Sequence, residues 1–412
     1  MVTITANTAS EYAASPSAIA ASSRMERSLE SSSSSLARRV PLEPRTRRGG
    51  VRLVLTILIA GACAADGGTA APQAIPDIGT YPPMPNHAAP GASSRALATA
   101  IAIGRGVNFG NMLEAPTEGA WGLTVTDDFI EKAAAAGFAS VRLPVRWSNH
   151  ASSQAPFTID PAFMQRVESI VDKLLAKGLV VILNMHHYRQ LDGDQLDSGE
   201  LPVAPAAVDV RFVMLWDQIA RRFQRRDARL LFELYNEPHV RMNGESWNVL
   251  AARALGVVRK TNPDRIVVIG PTSWNSASDL GRLELPNDSN LIATVHNYAP
   301  FAFTHQGAEW VNPVLPVGVT CCTAAQEAEM TAPLDVAKAW SVAKRYPVFV
   351  GEFGAYSKAD DASRIAFDRT MRSAIEARGM SWAYWEFAAG FGVYDPATLG
   401  FRTGLLDSLL GQ

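Results

Sequence analysis

The stretch LLFELYNEPH, residues 230–239, reads in two halves. Leu230 to Tyr235 is apolar except at Glu233, and Asn236, Glu237 and Pro238 then stop the run. A short apolar run without strict alternation suits a strand buried on both faces, as in a parallel sheet covered by helices. Pro238 has no amide hydrogen to give to a ladder, so the strand ends before it. An amide and an acid then stand where a parallel strand stops, which is where barrel enzymes place their chemistry.

The same reading repeats outward from this stretch. Strands are expected at 104–110, 139–145, 179–187, 230–237, 265–270, 291–298, 347–354 and 380–387. Helices are expected between them at 124–137, 160–178, 210–223, 245–260, 328–346 and 360–379, with a short one at 405–410. Thr126 can cap the first, Asp127 and Asp128 favour its first turn, and Gly137 ends it. Pro161 and Gly178 bracket the second in the same way. Strands alternating with helices give a parallel sheet, and eight such units in this length favour a single closed α/β (β/α)8 TIM barrel. No glycine-rich phosphate loop follows the first strand, which disfavours a dinucleotide-binding sheet.

The 412 residues carry 38 Lys and Arg against 40 Asp and Glu, a net charge of −2. A nucleic-acid surface needs a basic excess, so no nucleic-acid partner is expected. The three cysteines, Cys63, Cys321 and Cys322, are too few for a disulfide framework, and stability must come from a hydrophobic core. The adjacent pair could be joined or reduced.

Three regions are expected along the chain. Residues 1–64 hold a Ser- and Ala-rich extension and then RTRRGGVR (45–52) before LVLTILIAGACA (53–64), the basic-then-apolar order of a secretory signal. The apolar run is too short to span a bilayer, so no transmembrane span is expected and export is. AGAC ending at Cys63 resembles a lipoprotein cleavage box, but Ala60 stands where leucine is usual, which disfavours a lipid anchor. Residues 65–95 are rich in Pro, Gly and Ala and read as a linker. Residues 96–412 are expected to form the folded barrel domain, as a monomer.

Nearly every strand ends in polar or aromatic groups: Asn108 and Asn111, Arg142, His186 and His187, Asn236 and Glu237, Trp274 and Asn275, His296 and Tyr298, Glu352, Trp385 and Glu386. Such a concentration at one barrel mouth argues for an enzyme. Glu237 and Glu352 give two carboxylates there, as retaining glycoside hydrolysis requires: one donates a proton and the other attacks. Glu233 lies on the same strand face as Glu237 but deeper, and reads as a structural acid paired with Arg142; Glu386 reads as supporting. His186 and His187 are adjacent, so they point to opposite faces, and no H-x-H or H-E-x-x-H spacing occurs. Neither a metal nor a cofactor is expected.

In order along the chain, SVRLPV, LNMHH, ELYNEP, VHNY, VFVGEFG and YWEF resemble the motifs of glycoside hydrolase family 5, the cellulase family. GVNFGNMLEAPTEGAWG (106–122) and WEFAAGFGVYDP (385–396) are similar to its branch of endoglucanases with mixed glucanase and mannanase activity. The resemblance implies that Glu237 is the acid/base and Glu352 the nucleophile. It implies that Arg142 and Tyr298 hold the nucleophile ionised and that Asn236 binds the sugar 2-hydroxyl. His186 and His296 would line that subsite, Trp385 would stack on the sugar, and Asn111, Glu114 and His187 would add contacts. The expected activity is a secreted endo-β-1,4-glucanase on β-glycan polymers. The alternatives are a mannanase or dual enzyme, a metal-dependent amidohydrolase, and a non-catalytic carbohydrate-binding barrel. Glu237 is expected to start protonated, with a raised pKa, and Glu352 charged.

Overall fold

Eight parallel strands pair in chain order and close into a barrel. They are β1 (Arg105–Asn108), β2 (Ser140–Leu143), β3 (Val180–Asn184), β4 (Leu230–Glu233), β5 (Val267–Ile269), β6 (Leu291–His296), β7 (Val348–Glu352) and β8 (Ser381–Tyr384). Closure is made by β8 on β1, with Arg105 opposite Trp382. The computed structural model describes residues 73–86 and 89–411. Its helices are α1 (Ser94–Ile103), α2 (Asp127–Ala136), α3 (Pro161–Ala176), α4 (Arg189–Asp192), α5 (Val208–Phe223) and α6 (Gly244–Thr261). They continue with α7 (Thr272–Asn275), α8 (Phe301–Thr304), α9 (Ala324–Lys344), α10 (Asp361–Ala377) and α11 (Thr403–Leu410). The (β/α)8 barrel read from the alternation is the observed fold.

Each strand is shorter than its apolar run, because the last residues of the run leave the sheet for the mouth. β4 stops at Glu233, yet Leu234 still donates to Val268 O at 3.1 Å and Asn236 to Met185 O at 3.0 Å. Alternate residues build two cores. Val180, Ile182, Leu231, Ile292 and Phe349 meet in one cluster along the barrel axis, whereas Val181, Leu183, Phe232 and Val350 join the layer against the helices. That double burial is why the strands carry no polar alternation.

Helix α1 has no counterpart among the expected elements. Ser93 caps it by accepting from Ala96 N at 3.1 Å, and Ala96, Ala100 and Ile103 fall on one face at helical spacing. Those three residues join the axial cluster and floor the barrel at the N-terminal end of its strands. The Pro-rich stretch ahead of α1 also departs from a free linker. Met84 N donates to Ala252 O at 3.2 Å, Arg253 donates to Ile78 O at 2.9 Å, and Lys260 sits 5.6 Å over the Tyr81 ring, so residues 78–84 lie along α6. The expected signal segment, Cys63 and the extension before them fall outside the described residues. Among the described residues no helix is long and apolar enough to cross a membrane.

Helix α9 starts at Ala324 rather than 328, because Thr323 and Gln326 form a reciprocal capping box. Just before it, Cys321 and Cys322 are joined as a disulfide, and Cys321 N donates to Ser363 Oγ on α10 at 3.1 Å.

Candidate active site

Arg142, near the end of β2, organises the mouth from below. It is fully buried, which costs free energy unless its charge and donors are matched. Its Nε and Nη2 grip both oxygens of Glu233 at 2.7 Å. Nη1 reaches Glu352 Oε1 at 2.7 Å and Asn108 Oδ1 at 2.9 Å, and Nη2 also reaches Asn236 Oδ1 at 2.6 Å. The deeper acid is therefore a structural partner of Arg142, as its position on β4 led us to expect.

Glu352 reaches the mouth through a break in register. Val350 of β7 pairs with Val295, but the next pair is Glu352 with His296, so Gly351 is an extra residue. Phe349 faces the barrel axis, so strict alternation turns Glu352 outward toward the helices; the extra residue re-aims it. Only glycine fits there, since a Cβ at 351 would lie 2.8 Å from Thr294 Oγ1 and 3.0 Å from His296 Nε2. Glu352 accepts from Arg142 on one oxygen and from the Tyr298 hydroxyl, at 2.9 Å, on the other.

Glu237 stands across from it, hydrogen-bonded to His296 Nδ1 at 2.6 Å. One oxygen of Glu237, one of Glu352 and a nitrogen of His296 lie within 4.8 Å of one another. The two acids are not equally enclosed: the Glu237 side chain is 24% exposed and that of Glu352 only 6%, which leaves Glu237 the more open to an incoming group. Burial pushes the Glu352 carboxyl up; His296 and Arg142 pull against it, and the charge of Glu237 adds to the rise. Glu237 is also raised by burial, but its bond to His296 and the charges of His296, His239 and Arg142 outweigh this and hold it below the usual range. A raised Glu237 is thus not what these contacts give; the two carboxyls titrate as a pair. The same three residues have ligand atoms close enough to gather a cation. Each is already engaged by protein groups, and the Arg142 guanidinium on Glu352 opposes a second positive charge.

The remaining expected residues fall in two sets. Asn236 sits beside Glu237, with Oδ1 on Arg142. His186 stacks near-parallel to Trp385 at 5.8 Å and meets His187 edge-on at 4.3 Å. Burial holds both imidazoles well below their ordinary pKa, so they are neutral. Trp385 lies so close to Gly110 that a Cβ there would meet its ring at 2.9 Å. Asn111 turns through a left-handed φ of 62° at the mouth. Glu114 is the departure. It is fully buried and its oxygens take the amides of Asn111 and Met112, so it shapes that turn from beneath instead of lining the cleft. Burial pushes its carboxyl up to about 7.

A sequence profile of the cellulase family, glycosyl hydrolase family 5, matches residues 102–390. The chain belongs to glycosyl hydrolase family 5. Endoglucanase H of Acetivibrio thermocellus is 36% identical over 314 residues, which are 74% of this chain and 33% of that protein. The chain spans about a third of the length of the curated relatives it matches first. Among solved structures, a hyperthermophilic endo-β-1,4-glucanase in complex with substrate is 42% identical with a TM-score of 0.73, over 77% of this chain and 99% of that one. Thermotoga maritima Cel5A in complex with mannotriose is 38% identical with a TM-score of 0.72, over 76% and 100%.

Within this family 5 barrel, some residues to which the sequence assigned no individual role act through the expected ones. Asn108 shares Arg142 with the acids, and Asn275 donates to Asn236 O and faces His296 Nε2 at 3.3 Å. Both were visible as strand-end amides, but nothing in their spacing tells which neighbour they meet. Trp121, Trp274 and Trp310 are 43%, 41% and 52% exposed, and an indole left half in water is a signal that sequence alone does not give.

Proposed function

We propose that the protein is an endo-β-1,4-glucanase that cleaves with retention through a covalent glycosyl-enzyme. One observation carries this reading: Glu237 and Glu352 face each other with oxygens within 4.8 Å, and two donors are fixed on Glu352. Retaining glycosidases hold their carboxyls about 5–5.5 Å apart, whereas inverting ones leave room for a water between them.

In the first step Glu352 attacks the anomeric carbon as Glu237 protonates the departing glycosidic oxygen. Arg142 and Tyr298 fix one lone-pair direction on each Glu352 oxygen and favour its carboxylate. In the free enzyme the contacts lower Glu237 and raise Glu352, so the first step requires the proton that the pair shares to pass to Glu237, the more exposed of the two, as the glycosidic oxygen arrives. In the second step Glu237 takes a proton from water, which attacks the same carbon and frees Glu352. Asn236, its Oδ1 held by Arg142, has its amide nitrogen available for the 2-hydroxyl, and the Trp385 ring offers a face for the sugar.

Activity on β-mannan beside β-glucan is a second reading, supported by the mannotriose complex of the 38% identical Cel5A. Export is proposed on the basic-then-apolar segment at 45–64. The test is reducing-end release from carboxymethylcellulose and from β-mannan, beside a Glu352→Gln control. Release from cellulose that the control lacks supports the glucanase; release from neither by the folded protein overturns it.

A further inference from the structure

His239 follows Glu237 by two residues and is held at both ring nitrogens. Nδ1 lies 2.5 Å from the Glu237 carbonyl oxygen, and Nε2 lies 3.2 Å from Asp194 Oδ2. A carbonyl oxygen accepts and cannot donate, and the same is true of a carboxylate. Both ring nitrogens therefore carry hydrogens, and the ring is an imidazolium. Arg189 of α4 donates to the same Asp194 oxygen at 3.1 Å, and the His239 hydrogen bond is the first cause holding the Asp194 carboxyl below its usual range. Asp192, which takes the Tyr235 hydroxyl, lies 3.5 Å from Nδ1. Burial lowers the His239 pKa, but Asp194, Asp192 and the Glu237 carbonyl outweigh it and bring it to about 9.

The free face of the ring is covered by Trp274. The two rings stack at 4.7 Å and 19°, and a cation under an indole is attracted to it. Trp274 sits in a turn whose residues 273–275 all have φ of 57°, left-handed values that cost free energy in residues other than glycine. Trp274 N donates to Pro238 O at 3.3 Å, and Asp279 holds the Thr272 and Ser273 hydroxyls at 2.8 and 2.6 Å. The turn is thus bound to the segment that carries Glu237, and Trp274 remains 41% exposed.

We propose that His239 is a cationic positioning residue for this reaction: its imidazolium braces the Glu237 main chain against Asp194 and seats the Trp274 indole against the segment that carries Glu237. The inference rests on reading Glu237 as the acid/base. The charged and titratable groups around the ring are Asp192, Asp194 and Arg189 from α4 and the residue pair behind it, and Tyr235 and Glu237 from the end of β4. His187 also feels its charge. Removing that charge raises the proton affinity of Glu237, since His239 is among the groups that lower it.

The test compares the unmutated enzyme, His239→Gln and Glu237→Gln on cellotetraose and on a dinitrophenyl β-cellobioside, whose leaving group needs no proton. Glu237→Gln should lose cellotetraose cleavage and keep glycosylation by the aryl substrate; if it does not, the acid/base reading itself fails. With that satisfied, His239→Gln should lose about tenfold or more in kcat/KM on cellotetraose and far less on the aryl glycoside. Its alkaline limb on cellotetraose should move up by about half a unit or more. An equal loss on both substrates with the limb in place reduces His239 to a purely structural residue and overturns the proposal. The ring nitrogen shifts of His239 in the unmutated enzyme read the same point without a variant. Two protonated nitrogens at pH 7 are expected, and one overturns the proposal.

Discussion

At the scale of the residue, Arg142 explains why two acids can lie so deep. Its guanidinium meets Glu233 and Glu352 at 2.7 Å each, and all three side chains are almost wholly out of water. Burying a charge is tolerable when it is paired and its donors are filled, which is the case here. Glu237 and Glu352 differ from that pair because they repel each other. Replacing Glu237 with Gln removes one of the charges that push Glu352 up. The acid limb of the pH profile on an activated aryl cellobioside, followed in the glycosylation burst, is therefore expected to move to lower pH. An unmoved limb would show that the carboxyls are not coupled. The residue types at the mouth were legible, because acids and amides at the ends of apolar runs are conspicuous. The order of their proton affinities was not, since it depends on which oxygen His296 faces.

At the scale of the element, the extra residue in β7 sets the direction of Glu352. Gly351→Ala places a methyl group 2.8 Å from Thr294 Oγ1 and 3.0 Å from His296 Nε2. Relieving that overlap is expected to cost about 1–3 kcal/mol of stability and to displace the imidazole from Glu237. Denaturant melts and kcat on soluble cellulose should both fall; a variant with unchanged values would mean the register break is not what aims the acid. VFVGEFG announced a strand ending in an acid, but a period of two puts Glu352 on the outer face, and only the pairing with β6 reveals the correction. Helix α1 was hidden for a different reason. Its Ala-rich sequence follows a Pro-rich stretch, so composition masked the spacing of Ala96, Ala100 and Ile103. Glu114 misled because a fold of the chain at Asn111 turns it beneath the surface, and a left-handed turn at Asn leaves no period to read.

At the scale of the whole molecule, several acids are kept neutral by the fold and make stability depend on pH. Burial is the main cause that pushes Glu386 up to about 8 and Asp368 up to about 7. Both folded values lie above the unfolded carboxyl range, so the protonated forms favour the native state. Their contribution is fully present below about pH 4 and is lost as pH rises through 7 and 8. Melting temperature should therefore decline over that window, and Glu386→Gln with Asp368→Asn should flatten the decline; an equally steep decline in the double variant would locate the effect elsewhere. The barrel itself was readable because eight double-buried strands leave a repeated apolar signal, whereas the packing of residues 78–84 on α6 leaves none. The division of labour between the two mouth acids is tested most directly by azide rescue on a dinitrophenyl β-cellobioside. Glu352→Ala should yield the α-glycosyl azide, with azide standing in for the lost nucleophile, and Glu237→Ala the β-glycosyl azide, formed from an intact glycosyl-enzyme. Exchanged products would reverse the roles of the two acids, and no azide adduct from either variant would contradict a covalent glycosyl-enzyme on Glu352.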